Sequence, residues 1–527
     1  MTSTRLGANA PNATLRLTGN GTKIEGRLYS TIVGANYPNC ILEVLNGARF
    51  TSGREMVLGF WSETATNNTV RIAGAGSVYE DRPTGDYTRI GRMSPFNRVI
   101  VEDGGVWTNS TNQRTVLGEF ASASNNVLLV RNGGRVSLAQ FEVGVSNSNS
   151  RAVVDAGGYL RAMAMVGSAS GSFNTLSVKD GARADFSDVF VGGRNGACSN
   201  LLFIGSGALV TNEQTFVVGR PTITEPSSAV GNGIVISNAV VYSGCLKNGE
   251  VAINNYGTGG YLKVLDGGKF YANQSITVGG NVHTTDVFTD CSYGLIEVSG
   301  AGSLIQSLQY DFAVGRFGHD NTLRIADGGC YVVPRDMFVG RDHVGSTNNL
   351  LHICNGSLTN KSPYALQLYN NARVRWEGSR SSASFASLMS FQRGELEFVF
   401  DEEGIAPFGP RYETYLIDAD YQPTVGKIRI DATKYVRNPG SRTKTFTLLR
   451  SERDRQCRVV GTDANLPSED FAAINARIRN LIECEPAGRV TVTKVDMQHS
   501  RIEVKVQKSG PIIVIRCGGI ALSISNA

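Results

Sequence analysis

Five histidines (His283, His319, His343, His352 and His499) and a set of corner aspartates are the residues of this 527-residue chain that could carry acid–base or metal chemistry. "GHDN" at 318–321 and "GRDHVG" at 340–345 occupy equivalent loops of adjacent repeats. That makes His319, Asp320, Asp342 and His343 the best candidate for a metal or catalytic cluster, because imidazole and carboxylate together suit a divalent ion or a paired acid and base. Polar loops also collect Asp and His with no ligand, so a solvated loop is the competing reading. Asp103, Asp180, Asp266 and Asp327 share a different slot, just ahead of a pair of small residues. A polysaccharide lyase or hydrolase would need two or three carboxylates, with Arg, Lys or His, converging on one groove. Here the repeated acid is scattered among units that lack it, and a turn-stabilising Asp accounts for it. No P-loop, Gly-x-Ser-x-Gly elbow, HExxH or GGxGxD nonapeptide occurs. The sequence therefore calls for no cofactor and designates no catalytic residue.

Nine cysteines (Cys40, Cys198, Cys245, Cys291, Cys330, Cys354, Cys457, Cys484 and Cys517) include no CxxC pair. An odd number so spaced suggests neither a zinc ribbon nor a disulfide framework. Cys330 and Cys354 fall near equivalent columns of neighbouring repeats, which leaves either a bridge or two buried small apolar side chains. Net charge is +5, from 51 basic and 46 acidic residues. This mild excess, without a basic run, gives no case for nucleic acid. No apolar run is long enough to span a membrane.

The elements that must position these residues are set by a repeat. Thirteen times between Thr14 and Leu358 two apolar residues two apart are followed by a pair of small residues, as in "NTLRIADGG" at 321–329. A second phrase, apolar–apolar–Gly, follows most copies ("FVVG", "ITVG", "FAVG", "MFVG"). Alternation of period two before a glycine corner is a strand signal. Each period holds about three short strands and no helix. The repeat recurs in phase every 24 to 34 residues, so strand one of each unit stacks on strand one of the next. The expected fold is all-β: a right-handed parallel β-helix of about 13 coils. A smaller, mainly β C-terminal domain with one helix should follow it.

Two residues before the first apolar position stands Asn68, Asn97, Asn126, Asn174, Asn200, Asn232, Asn321 or Asn349, with Ser150 in the same slot. Stacked amides can form a structural ladder along a solenoid; a row of sugar- or ion-binding amides is the alternative. The phrase ends near Gly378, and the expected division is 1–378 for the repeat domain and 379–527 for a β-rich cap. In the second part, "KIRIDATKY" (427–435) and "TKTFTLLR" (443–450) read as strands, and 489–506 as a hairpin turning near 497–500. Residues 468–484 read as an amphipathic helix through Phe471, Ile474, Ile478 and Leu481, with Ser468 as N-cap. The chain opens inside a coil and shows no signal-peptide pattern, which favours a piece of a longer exported protein over a cytosolic one.

"IEVSGAGSLIQSLQYDFAVG" (296–315) and "VRIAGAGSVYE" (70–80) carry the phrase most fully. They resemble the repeats of autotransporter-like and PEP-CTERM-associated bacterial surface proteins, over roughly residues 4–358. The resemblance implies an extracellular or cell-surface β-helix with a structural or adhesive role. It brings no functional residues with it. Three readings result: a non-enzymatic structural or adhesive protein contacting a glycan or surface protein; a carbohydrate-active enzyme on a β-helix; and a scaffold joining end to end through solenoid ends.

Overall fold

The computed structural model describes residues 4–26, 29–82, 87–109, 113–193, 196–219, 229–245, 249–280, 291–341, 345–361, 363–438, 443–462, 466–509, 513–517 and 520–524. The fold is a parallel β-solenoid of about 14 turns followed by a C-terminal β-sheet. It divides into two compact units, 1–274 with 279–296, and 275–278 with 297–527.

In the first unit the alternating apolar pairs of the sequence become two inward columns. Leu42, Val70, Val99, Leu128, Ala152 and Leu176 stack in register, each on a parallel neighbour. Val44, Ile72, Val101, Val130, Val154 and Val178 form the column beside them. All twelve side chains are fully buried. Period-two alternation aims every second residue at the core, and coil stacking removes it from water. The second strands add an aromatic column in which Phe50, Tyr79 and Trp107 are aligned, with Phe50 and Tyr79 stacked at 5.3 Å. Third strands such as Thr31–Val33, Met56–Leu58 and Thr88–Ile90 close each coil. Where the repeat shortens to 24–26 residues, second and third strands merge into single strands, Arg135–Val143, Tyr159–Val166 and Arg183–Val191, and the first and last of these each carry a bulge against Tyr159–Val166. The shorter period leaves no residues for the loop that separates them elsewhere.

The second unit continues the same grammar through Thr322–Ala326, Leu350–Cys354 and Arg373–Glu377. The parallel first-strand column then runs on past the end of the sequence phrase, through Gly394–Val399, Val425–Asp431 and Ile482–Glu485. Thr443–Arg450 and Val490–Asp496 flank Arg501–Gln507 in an antiparallel sheet, with the turn at Met497–His499. The expected helix over 468–484 is shorter. A 3-10 turn, Ser468–Asp470, precedes the helix Phe471–Asn480, and Ser468 makes no capping bond. Phe471, Ile474 and Ile478 are its buried face. It stops there because Ile482–Glu485 is taken up by the parallel column, where backbone pairing replaces the helical bonds. A second short helix, Thr433–Arg437, follows the strand Val425–Asp431.

Candidate functional site

The Asn-rich slot lies inside the wall of the solenoid. Asn68, Asn97, Asn126, Asn174, Asn200, Asn232, Asn321 and Asn349 are at most 2 % exposed. The backbone N–H of Asn68 donates to Asn97 Oδ1 at 3.1 Å and that of Asn97 to Asn126 Oδ1 at 2.8 Å. Likewise the N–H of Asn174 reaches Asn200, that of Asn200 reaches Asn232, and that of Asn321 reaches Asn349, all at 3.0 Å. Each Nδ2 in turn donates to a corner carbonyl, as Asn200 does to Gly171 at 2.7 Å. Every amide is thus engaged by protein, and none offers a group to a ligand.

The glycine that ends the third strand is the counterpart of this slot. A Cβ on Gly144 would lie 2.0 Å from Asn174 Cγ, and one on Gly315 would lie 1.9 Å from Asn349 Cγ. Both glycines have φ near +70° (75° and 66°), so steric room and backbone conformation demand the same residue. The two sequence phrases are therefore two halves of one corner. Where the slot lacks Asn, another residue serves it. Asn147 donates to Ala123 O and Ser150 Oγ, both at 2.6 Å. Asn254 accepts from the N–H of Gly260 at 3.0 Å. Neither stands in the slot's sequence position, so spacing alone passes over both.

The loop cluster is only half visible. His319 Nδ1 lies 2.6 Å from Asp320 Oδ2, and both side chains are about one-third exposed (39 % and 33 %). Asp342 and His343 lie outside the described residues. Asp103, Asp180, Asp266 and Asp327 all sit at φ of 51–54°, which assigns them to a left-handed turn position tolerant of Asp. No disulfide joins Cys330 and Cys354; both are half-buried thiols on the outer face of their strands, not buried core residues as expected.

Outside the core, charges on successive coils pair along the stack. Glu43 meets Arg16 at 2.5 Å and Arg71 at 3.8 Å; Glu102 meets Arg71 and Arg131 at 2.7 Å each. Burial opposes ionisation of Glu102, but the hydrogen bonds from the two arginines prevail and hold it below the usual carboxylate range. An open groove of about 470 Å³ lies where the coils are shortest. Gly133, Gly157, Gly158 and Gly181 line it together with Arg135, Tyr159, Arg183 and Asp185. Asp185 accepts from Tyr159 Oη at 2.8 Å, from Thr211 Oγ1 and from Arg183 Nη2 at 3.2 Å.

A third cluster was not singled out by sequence reasoning. His352 and Cys354 alternate on Leu350–Cys354, so they share one face, and Glu377 stands directly beside Cys354 in the next coil. The imidazole, thiol and carboxylate ligand atoms all lie within 4.8 Å of one another. His352 Nε2 is 3.0 Å from Glu377 Oε2, while Lys434 Nζ holds Oε1 at 3.1 Å. The His352 hydrogen bond, with those of Lys434 and the charge of Arg375, outweighs burial and holds the Glu377 carboxyl at about 2. Burial, then the Glu377 charge, pushes the Cys354 thiol up. The available signal was His-x-Cys on a strand with Glu one coil later. It becomes visible only once the register of the coils is known.

No protein-family model matches the chain, and neither does any curated protein. Among solved structures it is similar to the TibC-catalyzed hyper-glycosylated TibA55-350 fragment, with 13 % identity and a TM-score of 0.38 over 72 % of this chain and 97 % of that one. A likeness this distant carries nothing about ligand or role. Among the described residues no helix is long and apolar enough to cross a membrane.

Proposed function

We propose that this protein is a non-enzymatic structural or adhesive solenoid of the bacterial surface or secreted matrix. In this reading it presents a stiff, repeated face to glycans or surface proteins. One observation supports the reading above the others: the polar group that the repeat conserves in register, the Asn slot, is buried and saturated by neighbouring coils. The repeat thus builds length and stiffness, and contact falls to the outer surface. The groove around Tyr159 is one candidate contact point on that surface. A flat aromatic ring beside arginine donors and a carboxylate is suited to stacking on and hydrogen-bonding a sugar.

The test is retention of the purified protein on a panel of immobilised neutral and acidic oligosaccharides. The expected result is retention of at least one glycan class, lost in the double variant Tyr159→Ala/Arg183→Ala. Retention unaffected by the double variant would move the contact elsewhere. Release of shortened or unsaturated sugar products by the purified protein would overturn the non-enzymatic reading.

A further inference from the structure

We propose that His352, Cys354 and Glu377 form a binding site for one borderline divalent transition-metal ion of the zinc class, with a coordination position left open. This goes beyond the structural and adhesive reading and does not depend on it.

The donor set is one imidazole nitrogen, one thiol sulfur and one carboxylate oxygen. That mixture selects zinc-like ions over calcium or magnesium, which take oxygen alone. With bond lengths of about 2.0–2.3 Å, donors around a tetrahedral ion stand about 3.4–3.7 Å apart. The present atoms lie within 4.8 Å of one another, with the His352–Glu377 pair at 3.0 Å. Seating an ion therefore asks the donors to shift by about 1 Å.

The scaffold fixes the three groups. His352 and Cys354 straddle Ile353, whose side chain is fully buried in the core, and Glu377 follows Trp376, which is 1 % exposed. Alternation along a strand and stacking between coils then leave all three donors on one outer face. Sites on paired strands hold such geometry better than sites on loops. The carboxylate is oriented as well: Lys434 holds Oε1, which leaves Oε2 toward the imidazole. Such outer partners are what position metal ligands. Arg375 Nε lies 3.3 Å from the same Oε2, but its Nη1 also reaches Glu397 Oε1 at 3.6 Å, so that guanidinium has a second carboxylate when an ion takes its place. A thiolate and a carboxylate together neutralise the charge of a divalent ion. The donors are partly shielded from water, with the His352 and Glu377 side chains 16 % and 10 % exposed. An ordinary ion pair accounts for His352 and Glu377; the thiol within reach of both makes the pair a ligand set.

The experiment is titration of the reduced full chain with Co²⁺, followed by displacement with Zn²⁺. One equivalent of Co²⁺ should produce a thiolate-to-cobalt charge-transfer band that Zn²⁺ abolishes. Cys354→Ser should remove the band, and His352→Gln should weaken Co²⁺ binding by more than about tenfold. Cys245→Ser, which alters an exposed thiol, should change neither. Should Cys354→Ser fail to fold, His352→Gln and Glu377→Gln carry the same test through affinity. Absence of a stoichiometric band in the parent chain, or its survival in folded Cys354→Ser, overturns the proposal. So does unchanged affinity in both other variants.

Discussion

Replacing Asn200 by alanine should loosen the solenoid locally and by a large amount. Asn200 is fully buried, and its Oδ1 accepts from both the backbone N–H and Nδ2 of Asn174, at 3.0 and 3.1 Å. Its Nδ2 donates to Gly171 O and to Asn232 Oδ1, at 2.7 and 2.9 Å. The Asn174 side chain keeps a second acceptor, Asn147 O at 3.0 Å, but its backbone N–H is left buried without a partner. An orphaned buried donor costs about 1–3 kcal/mol. The lost bond to Gly171 and the void of the missing amide bring the total to roughly 3–4 kcal/mol. A stack of coils opens locally and not all at once, so the proper assay is hydrogen–deuterium exchange at peptide resolution. At about 1.4 kcal/mol per decade, exchange across residues 165–205 should accelerate by about 100- to 700-fold. Residues 41–58 should be unchanged. Asn20→Ala, at an exposed position, is the control and should stay within about 0.5 kcal/mol of the parent. Asn200→Asp adds a second arm. It retains the acceptor but sets an anionic oxygen against two acceptors, which raises its pKa above the ordinary value of about 3.9. Its stability should therefore be highest below pH 4 and fall as pH rises. Unchanged exchange around Asn174 in Asn200→Ala would refute the view that these amides hold coil to coil.

Gly144→Ala and Gly157→Ala separate steric room from backbone strain, because both have φ of 75° but only Gly144 has a neighbour in the way. Gly157→Ala should cost about 1–2 kcal/mol and Gly144→Ala at least about 1 kcal/mol more, read from thermal unfolding. Phe270→Ala removes a fully buried ring 5.3 Å from Phe216 and should cost about 3–5 kcal/mol by the same measurement. Two carboxyls should give opposite pH dependences of the urea midpoint. Burial raises Asp81 from 3.8 to about 7, so its contribution is complete below pH 3.8 and is lost as pH rises through 7; Asp81→Asn should abolish that slope. His352 and Lys434 lower Glu377 from 4.5 to about 2, so its contribution is present above pH 4.5 and is lost as pH falls toward 2; Glu377→Gln should flatten it.

The parallel stack was legible in the sequence because each coil repeats the same local physics. Apolar pairs such as Leu323 and Ile325 face inward at period two, and a corner that needs φ > 0 selects glycine, whatever the rest of the chain does. The Asn slot was legible for the same reason. Its partners were not: that Gly144 must be glycine on account of Asn174, 30 residues later, follows only from the coil register. Asn147 and Asn254 fill the slot from other positions in the chain, which only the folded backbone brings to the same place. Past residue 378 the period dissolves, yet Val425–Asp431 and Ile482–Glu485 still join the column. Backbone pairing needs no side-chain motif, so tertiary packing settled those strands and cut short the helix that precedes Ile482–Glu485. The cluster of His352, Cys354 and Glu377 belongs wholly to the tertiary structure. Each residue occupies an ordinary outward position of its strand, and only the superposition of two coils sets the three donors side by side.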